Sequence, residues 1–192
     1  VLGIAPQAKV IAVKVVGADG SGTLSAFISG LDYAVRSGAK VFNMSLGGGP
    51  GSDIEDLALS NAARAGAVLV MAAGNDGFAA PDSPALYASR FGLAVGAVDA
   101  SGSLAPFSNR AGATSMGYVT APGTIRWVVN PDGTIAYEGI VSTYLNSQYA
   151  KMSGTSMAAP HVAGLAALLW SAKPTMTAAE VESTIYRTAT RR

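Results

Sequence analysis

The sequence predicts an α/β protein: a three-layer sandwich whose mostly parallel central sheet is flanked by helices. Three observations carry that reading. Short β-branched runs alternate with amphipathic helical runs over the first hundred residues. Charged residues make up only 13% of the 192 positions, against a usual ~25%, which leaves little material for solvated faces and favours a sheet covered on both sides. Small residues are abundant, with 23 glycines, as close packing of elements requires.

In chain order, "KVIAVKVV" (Lys9–Val16) reads as a strand ended by the turn cluster "GADGSG". Leu24, Phe27, Ile28, Leu31 and Val35 then share one helix face, with Gly38 placed to stop the helix. "KVFNMSL" (Lys40–Leu46) is the next strand. Ser52 and Glu55 have capping-box spacing before a helix whose apolar face is Ile54, Leu57, Ala58 and Ala62, closed by Gly66. "AVLVMAA" (Ala67–Ala73) and "GLAVGAV" (Gly92–Val98) follow as strands. Further on, "TIRWVVNPDGTIAYEGIVSTY" is β-rich and split by "NPDG", a hairpin at about 124–150. Val162, Leu165, Leu168 and Leu169, interleaved with Ala163, Ala166 and Ala167, make a helix apolar nearly all round, expected to be buried and ended by Pro174. Thr177 and Glu180 form a second capping box, leading to Val181 and Ile185 on one face.

The length suits a single domain, and no internal repeat is visible. A net charge of +1 without a Lys/Arg run argues against a nucleic-acid partner. Apolar stretches of about ten residues are too short to span a bilayer, so no membrane partner is expected. The absence of cysteine excludes disulfide and thiolate chemistry. "VLGIAPQAK" has no signal-peptide pattern and begins in mid-phrase, so the sequence reads as a piece of a longer protein.

In parallel sheets, ligands gather beyond the carboxyl ends of the strands. "SLGGG", "AAGND" and "SGTSMA" all follow strands or strand-like runs. Ser156, at the start of a helix, reads either as a capping serine or as a nucleophile whose developing charge the free N–H groups would favour. The only histidine, His161, follows five residues later. On one helix that is ~7.5 Å of rise and ~140° of rotation, so His161 points away from Ser156 and reads as structural. An α/β-hydrolase order, with acid and histidine after the serine, also fails, because no other histidine follows.

"VIAVKVVGADGSG", "VFNMSLGG", "VLVMAAGND", "LAVGAVDASGSLAPFSN", "VTAPG" and "SGTSMAAPHVAGLAALL" together resemble the subtilisin-like serine peptidases, in that family's order and over nearly the whole chain. The resemblance implies that Ser156 is the nucleophile and that Asn75 supplies the oxyanion amide beside the Ser156 backbone N–H. Asn75 by itself would read as a turn residue. It implies that Ser45, Leu46 and Gly47 are the edge on which a peptide or protein substrate adds as a strand, with Gly48 and Gly49 keeping the approach open. Ala72, Ala73 and Gly74 would wall the pocket for the side chain before the scissile bond. Asp82 would lie at its floor and favour a basic side chain, or else be a solvated loop aspartate. Secretion is implied, as is chemistry that needs no cofactor; a structural calcium is admitted for the intact parent, with only a backbone ligand near Val1 on this chain.

The departures are as informative. The family's "DTG" aspartate and "HGTH" histidine phrases are absent, and Asp19, Asp32, Asp53, Asp56, Asp76, Asp82, Asp99 and Asp132 lie in other contexts. The resemblance is thus to an N-terminally incomplete subtilisin-like domain, a serine endopeptidase whose base and its orienting acid are expected on a missing N-terminal segment, the chain's expected partner. The alternative is an inactive truncated form that binds peptides. A third family, the serine-carboxyl peptidases, shares "GTS" but is disfavoured by Asn75 in place of an acid.

Overall fold

The computed structural model describes residues 3–190. Its centre is a four-stranded parallel sheet in sequential order, β1 (Val41–Met44), β2 (Val68–Ala72), β3 (Leu93–Val98) and β4 (Tyr118–Pro122). The first three fall inside the expected strands. β4 was not foreseen, because only Val119 and Ala121 of its five residues turn inward.

Alternation along the strands builds two cores. Val68, Val70 and Ala72 of β2 join Val95 and Ala97 of β3 in one cluster, covered by helices α3 (Thr155–Ala172) and α4 (Ala178–Thr188). Leu69 and Met71 point the other way, toward α1 (Leu24–Arg36) and α2 (Asp53–Arg64). β2 is buried along its whole length, the condition a parallel sheet needs.

The helix caps show how far spacing can be trusted. At α4, Thr177 Oγ1 accepts from the Glu180 N–H and the Glu180 carboxylate accepts from the Thr177 N–H, a complete capping box. At α2, Ser52 Oγ accepts from the Glu55 N–H, but the Ser52 N–H donates to the Tyr87 hydroxyl instead of Glu55. The inward face of α2 is Glu55, Leu59 and Ala62, while Ile54 and Leu57 are exposed, so the expected face is rotated.

Two further expectations are corrected. Lys9–Val16 forms no strand; among the described residues its one ladder contact is the isolated bridge from Val16 to Gly22. An apolar run becomes a strand only beside a partner, and among the described residues β1 pairs with β2 alone. Between this segment and β1 lies a slot of about 1310 Å³. Val13 and Val15 line one side, Val41 and Met44 the other, with Phe27 of α1 on one face and Trp170 of α3 on the opposite face. Helix α3, expected to be buried all round, is buried on the sheet side through Ala158, Val162 and Ala166 but exposes Leu165 and Leu168. Nothing in the described residues covers that flank.

After β4 come two antiparallel pairs, β5 (Arg126–Val129) with β6 (Ile135–Glu138) around the "NPDG" turn, and β7 (Ile140–Tyr144) with β8 (Gln148–Met152). The first turn is closed by the Asn130 N–H on the Thr134 carbonyl and by Asp132, which accepts from the Thr134 N–H and hydroxyl. Thr124, buried, donates its hydroxyl to the Glu138 carbonyl and meets Ser153 Oγ at 3.0 Å, tying the hairpins to the segment that enters α3.

Candidate active site

Because β1 and β2 are parallel neighbours, the segments that leave them open at the same end of the sheet. Ser45–Gly47 leaves β1, Ala73–Asn75 leaves β2, and β8 delivers Ser153 and Gly154 to the start of α3. A cleft of about 890 Å³ forms there, lined by Ser45, Leu46, Gly47, Ala72, Gly74, Asn75, Asp82 and Ser156. Of the expected wall residues, Ala73 alone is fully buried behind the surface. Its carbonyl accepts from the Asp82 N–H and from the Asn109 amide.

Ser156 stands in the first turn of α3, half-buried. Its hydroxyl donates to the Ser45 carbonyl at 3.3 Å, and Ser45 Oγ donates back to the Ser156 carbonyl at 2.8 Å. The second bond has a cause four residues on. Pro160 has no N–H, so the Ser156 carbonyl lacks its helical donor and is left for Ser45. Reciprocal bonds therefore lock the nucleophile candidate to the substrate-edge candidate. Gly154 is nearly fully extended (φ 159°, ψ 162°). A Cβ there would sit 3.5 Å from Asn75 Oδ1, in contact with the other candidate residue.

His161 faces away, as its helical position requires. Its Nδ1 lies 2.8 Å from the Met157 carbonyl one turn back and donates to it. The carbonyl that holds the Ser156 hydroxyl cannot take a proton, so among the described residues no base touches Ser156.

Asn75 is exposed, yet one end of its amide is fixed. Oδ1 accepts from the Thr155 N–H at 2.8 Å and from Thr155 Oγ1 at 3.0 Å. The Gly74 N–H donates to Thr155 Oγ1 in turn. With Oδ1 held, Nδ2 is the end free to donate into the cleft, beside the first N–H groups of α3. Thr155 is fully buried and was not singled out from sequence, although it stands between Gly154 and Ser156.

Asp82 is half-buried and lines the cleft, and its Oδ2 accepts from Asn109 Nδ2 at 3.0 Å. It is held rather than freely solvated. Asn109, fully buried, was missed altogether, because "FSN" reads as an ordinary loop. Its carbonyl accepts from the Tyr118 hydroxyl at 2.6 Å, and burial pushes that phenol above its ordinary range, so it stays a donor.

The family model described as "Subtilase family" matches residues 1–192, the whole chain. The chain belongs to the subtilase family. It is 40% identical to subtilisin DY of Bacillus licheniformis, over 99% of this chain and 64% of that protein. It is likewise 40% identical to a thermostable alkaline protease of Halalkalibacterium halodurans, over 99% of this chain and 47% of the relative. Among solved structures, a cold-adapted subtilisin-like serine proteinase superposes with a TM-score of 0.82 at 34% identity, covering 96% of this chain and 62% of its own. The subtilase chain thus spans less than two thirds of these relatives. The fold is the subtilisin-like α/β arrangement, with its parallel sheet between helical layers. Among the described residues no group of three or more His, Cys, Asp or Glu side chains gathers as a metal site would. The backbone ligand expected near Val1 lies outside the described residues.

Proposed function

We propose that this subtilase chain is the nucleophile-bearing portion of a serine endopeptidase, and that the base His and its orienting Asp arrive on a segment N-terminal to it. The observation that carries the reading is the mutual tether at the cleft. Ser156 is bonded to the substrate edge at Ser45, while Asn75 is bonded to Thr155, the residue before the nucleophile. A peptide-binding module needs the edge but neither the serine nor an oriented amide.

In this scheme a peptide lies along Ser45–Gly47 as an added strand. Ser156 Oγ attacks the scissile carbonyl carbon as its proton passes to the imidazole of the arriving segment, and the carbonyl π bond opens to an oxyanion. Asn75 Nδ2 and the Ser156 N–H donate to that oxygen. Collapse of the tetrahedral species expels the amine, which takes the proton from the imidazolium and leaves an acyl ester on Ser156. Water, deprotonated by the same imidazole, then hydrolyses the ester. Ala72 and Gly74 wall the pocket for the preceding side chain, and Asp82 gives it a preference for Lys or Arg. No step requires a cofactor. The parent is a secreted protein; among the described residues, no helix is long and apolar enough to cross a membrane.

A second reading, an inactive peptide binder, is favoured by one observation: His161 is the single imidazole and is bonded away from Ser156. A fluorophosphonate probe separates the two. Stoichiometric labelling of Ser156 when the base-bearing segment is present, and none in its absence, is expected. No labelling of a folded, complete protein would leave the binding reading.

A further inference from the structure

We infer that Asn109 is a positioning residue that holds the oxyanion amide and the pocket carboxylate in one frame, so that substrate selection and transition-state stabilisation are coupled through it. This rests on the endopeptidase reading above.

The side-chain amide of Asn109 can make four hydrogen bonds, and all four are made inside the protein. Nδ2 donates to the Ala73 carbonyl at 3.1 Å and to Asp82 Oδ2 at 3.0 Å. Oδ1 accepts from the Asp76 N–H at 3.1 Å and from the Phe78 N–H at 2.9 Å. The Asn109 backbone N–H adds a bond to the Gly74 carbonyl at 3.0 Å. Asn75 is thus bracketed, with the Ala73 and Gly74 carbonyls before it and the Asp76 and Phe78 N–H groups after it bound to one buried residue. The same amide nitrogen grips Asp82, the expected source of charge in the pocket.

Gly74 makes this close approach feasible. Its φ of +108° suits glycine, and a Cβ there would collide with Asn109 Nδ2 and Asp82 Oδ2. Loop, clamp and carboxylate pack without a side chain between them. A buried polar group with every bond satisfied has one orientation, since any rotation strands a donor or acceptor in low dielectric. The orientation of Asn109 is therefore shared by the two functional side chains around it.

The decisive substitution is Asn109→Asp, nearly isosteric. It still accepts from Asp76 and Phe78 but cannot donate to Ala73 or Asp82, and it sets one carboxylate against another. The full-length protease is assayed with peptides that differ only in Arg or Leu before the scissile bond, after active sites are counted with a fluorophosphonate. Per labelled site, kcat is expected to fall by about 10²-fold, the scale on which a misplaced catalytic group acts, and the Arg-to-Leu ratio of kcat/KM is expected to change by about tenfold or more. In Asp82→Asn/Asn109→Asp the 82–109 bond can re-form with its donor reversed, and kcat is expected to recover relative to Asn109→Asp alone. A merely structural role would lower the number of labelled sites and leave kcat per site and the ratio unchanged; that result would overturn the inference. If wild-type Ser156 in the complete protein takes no label, the endopeptidase reading fails and this inference falls with it. Labelling with unchanged Asn109→Asp kinetics removes the inference alone.

Discussion

Asn75 illustrates how a residue's role depends on what holds it. Its side chain is exposed, but Thr155 fixes Oδ1 with two donors and so turns Nδ2 toward the cleft. On the proposed endopeptidase reading, Asn75→Ala is expected to lower kcat by about 10²–10³-fold with little change in KM, because an oxyanion donor acts mainly on the transition state. Steady-state kinetics on the full-length protease reads this directly, and a loss confined to KM would contradict it. Glu182 behaves differently. Burial raises its carboxyl from 4.5 to about 7, against an opposing pull from the Leu69 and Gly92 backbone groups. The unfolded chain releases that proton near 4.5, while the native chain keeps it until about pH 7. The native state therefore holds the extra proton in that window, and stability falls as pH rises through it. In the full-length protein, Glu182→Gln should leave Tm nearly unchanged at pH 4.5 and raise it at pH 8. A Tm difference that does not vary with pH would refute the assignment.

Among the elements, α4 is the one whose stability the cap most directly sets. Thr177 and Glu180 satisfy each other's backbone donors, so Thr177→Ala should cost about 1 kcal/mol. In the full-length protein the expected sign is a lower urea midpoint with an unchanged slope. This cap was legible because both partners lie within one turn of sequence. The α2 cap was half legible, because its second bond comes from Tyr87, thirty-five residues away. Strands β1, β2 and β3 announce themselves as apolar runs, whereas Lys9–Val16, equally rich in β-branched residues, makes only an isolated bridge. Local pattern reports the tendency to extend; pairing depends on a neighbour. The site divided along the same line. Ser156, Asn75 and Ser45–Gly47 were named from motifs, but Thr155, Asn109 and the Pro160–Ser45 relation depend on contacts between distant segments. Asp82 lines the cleft, and its grip by Asn109 has no signature in the loop.

For the whole molecule, the controlling feature is the slot between residues 9–16 and β1, with the exposed Leu165 and Leu168 on the flank of α3. Expressed alone, the chain is expected to be poorly soluble or partly molten, binding ANS and melting without a sharp transition. A cooperative melt at monomer mass would refute that. The slot also sets up a competition. The free edge of β1 will accept any strand that fits, including one from another copy. A segment joined to the chain by a short flexible link presents itself at an effective concentration on the order of millimolar, so a second copy at about micromolar concentration is outnumbered roughly a thousandfold. Dilution then favours the intramolecular partner and crowding favours stacking of copies. In any preparation, the segments should be joined before the protein is concentrated.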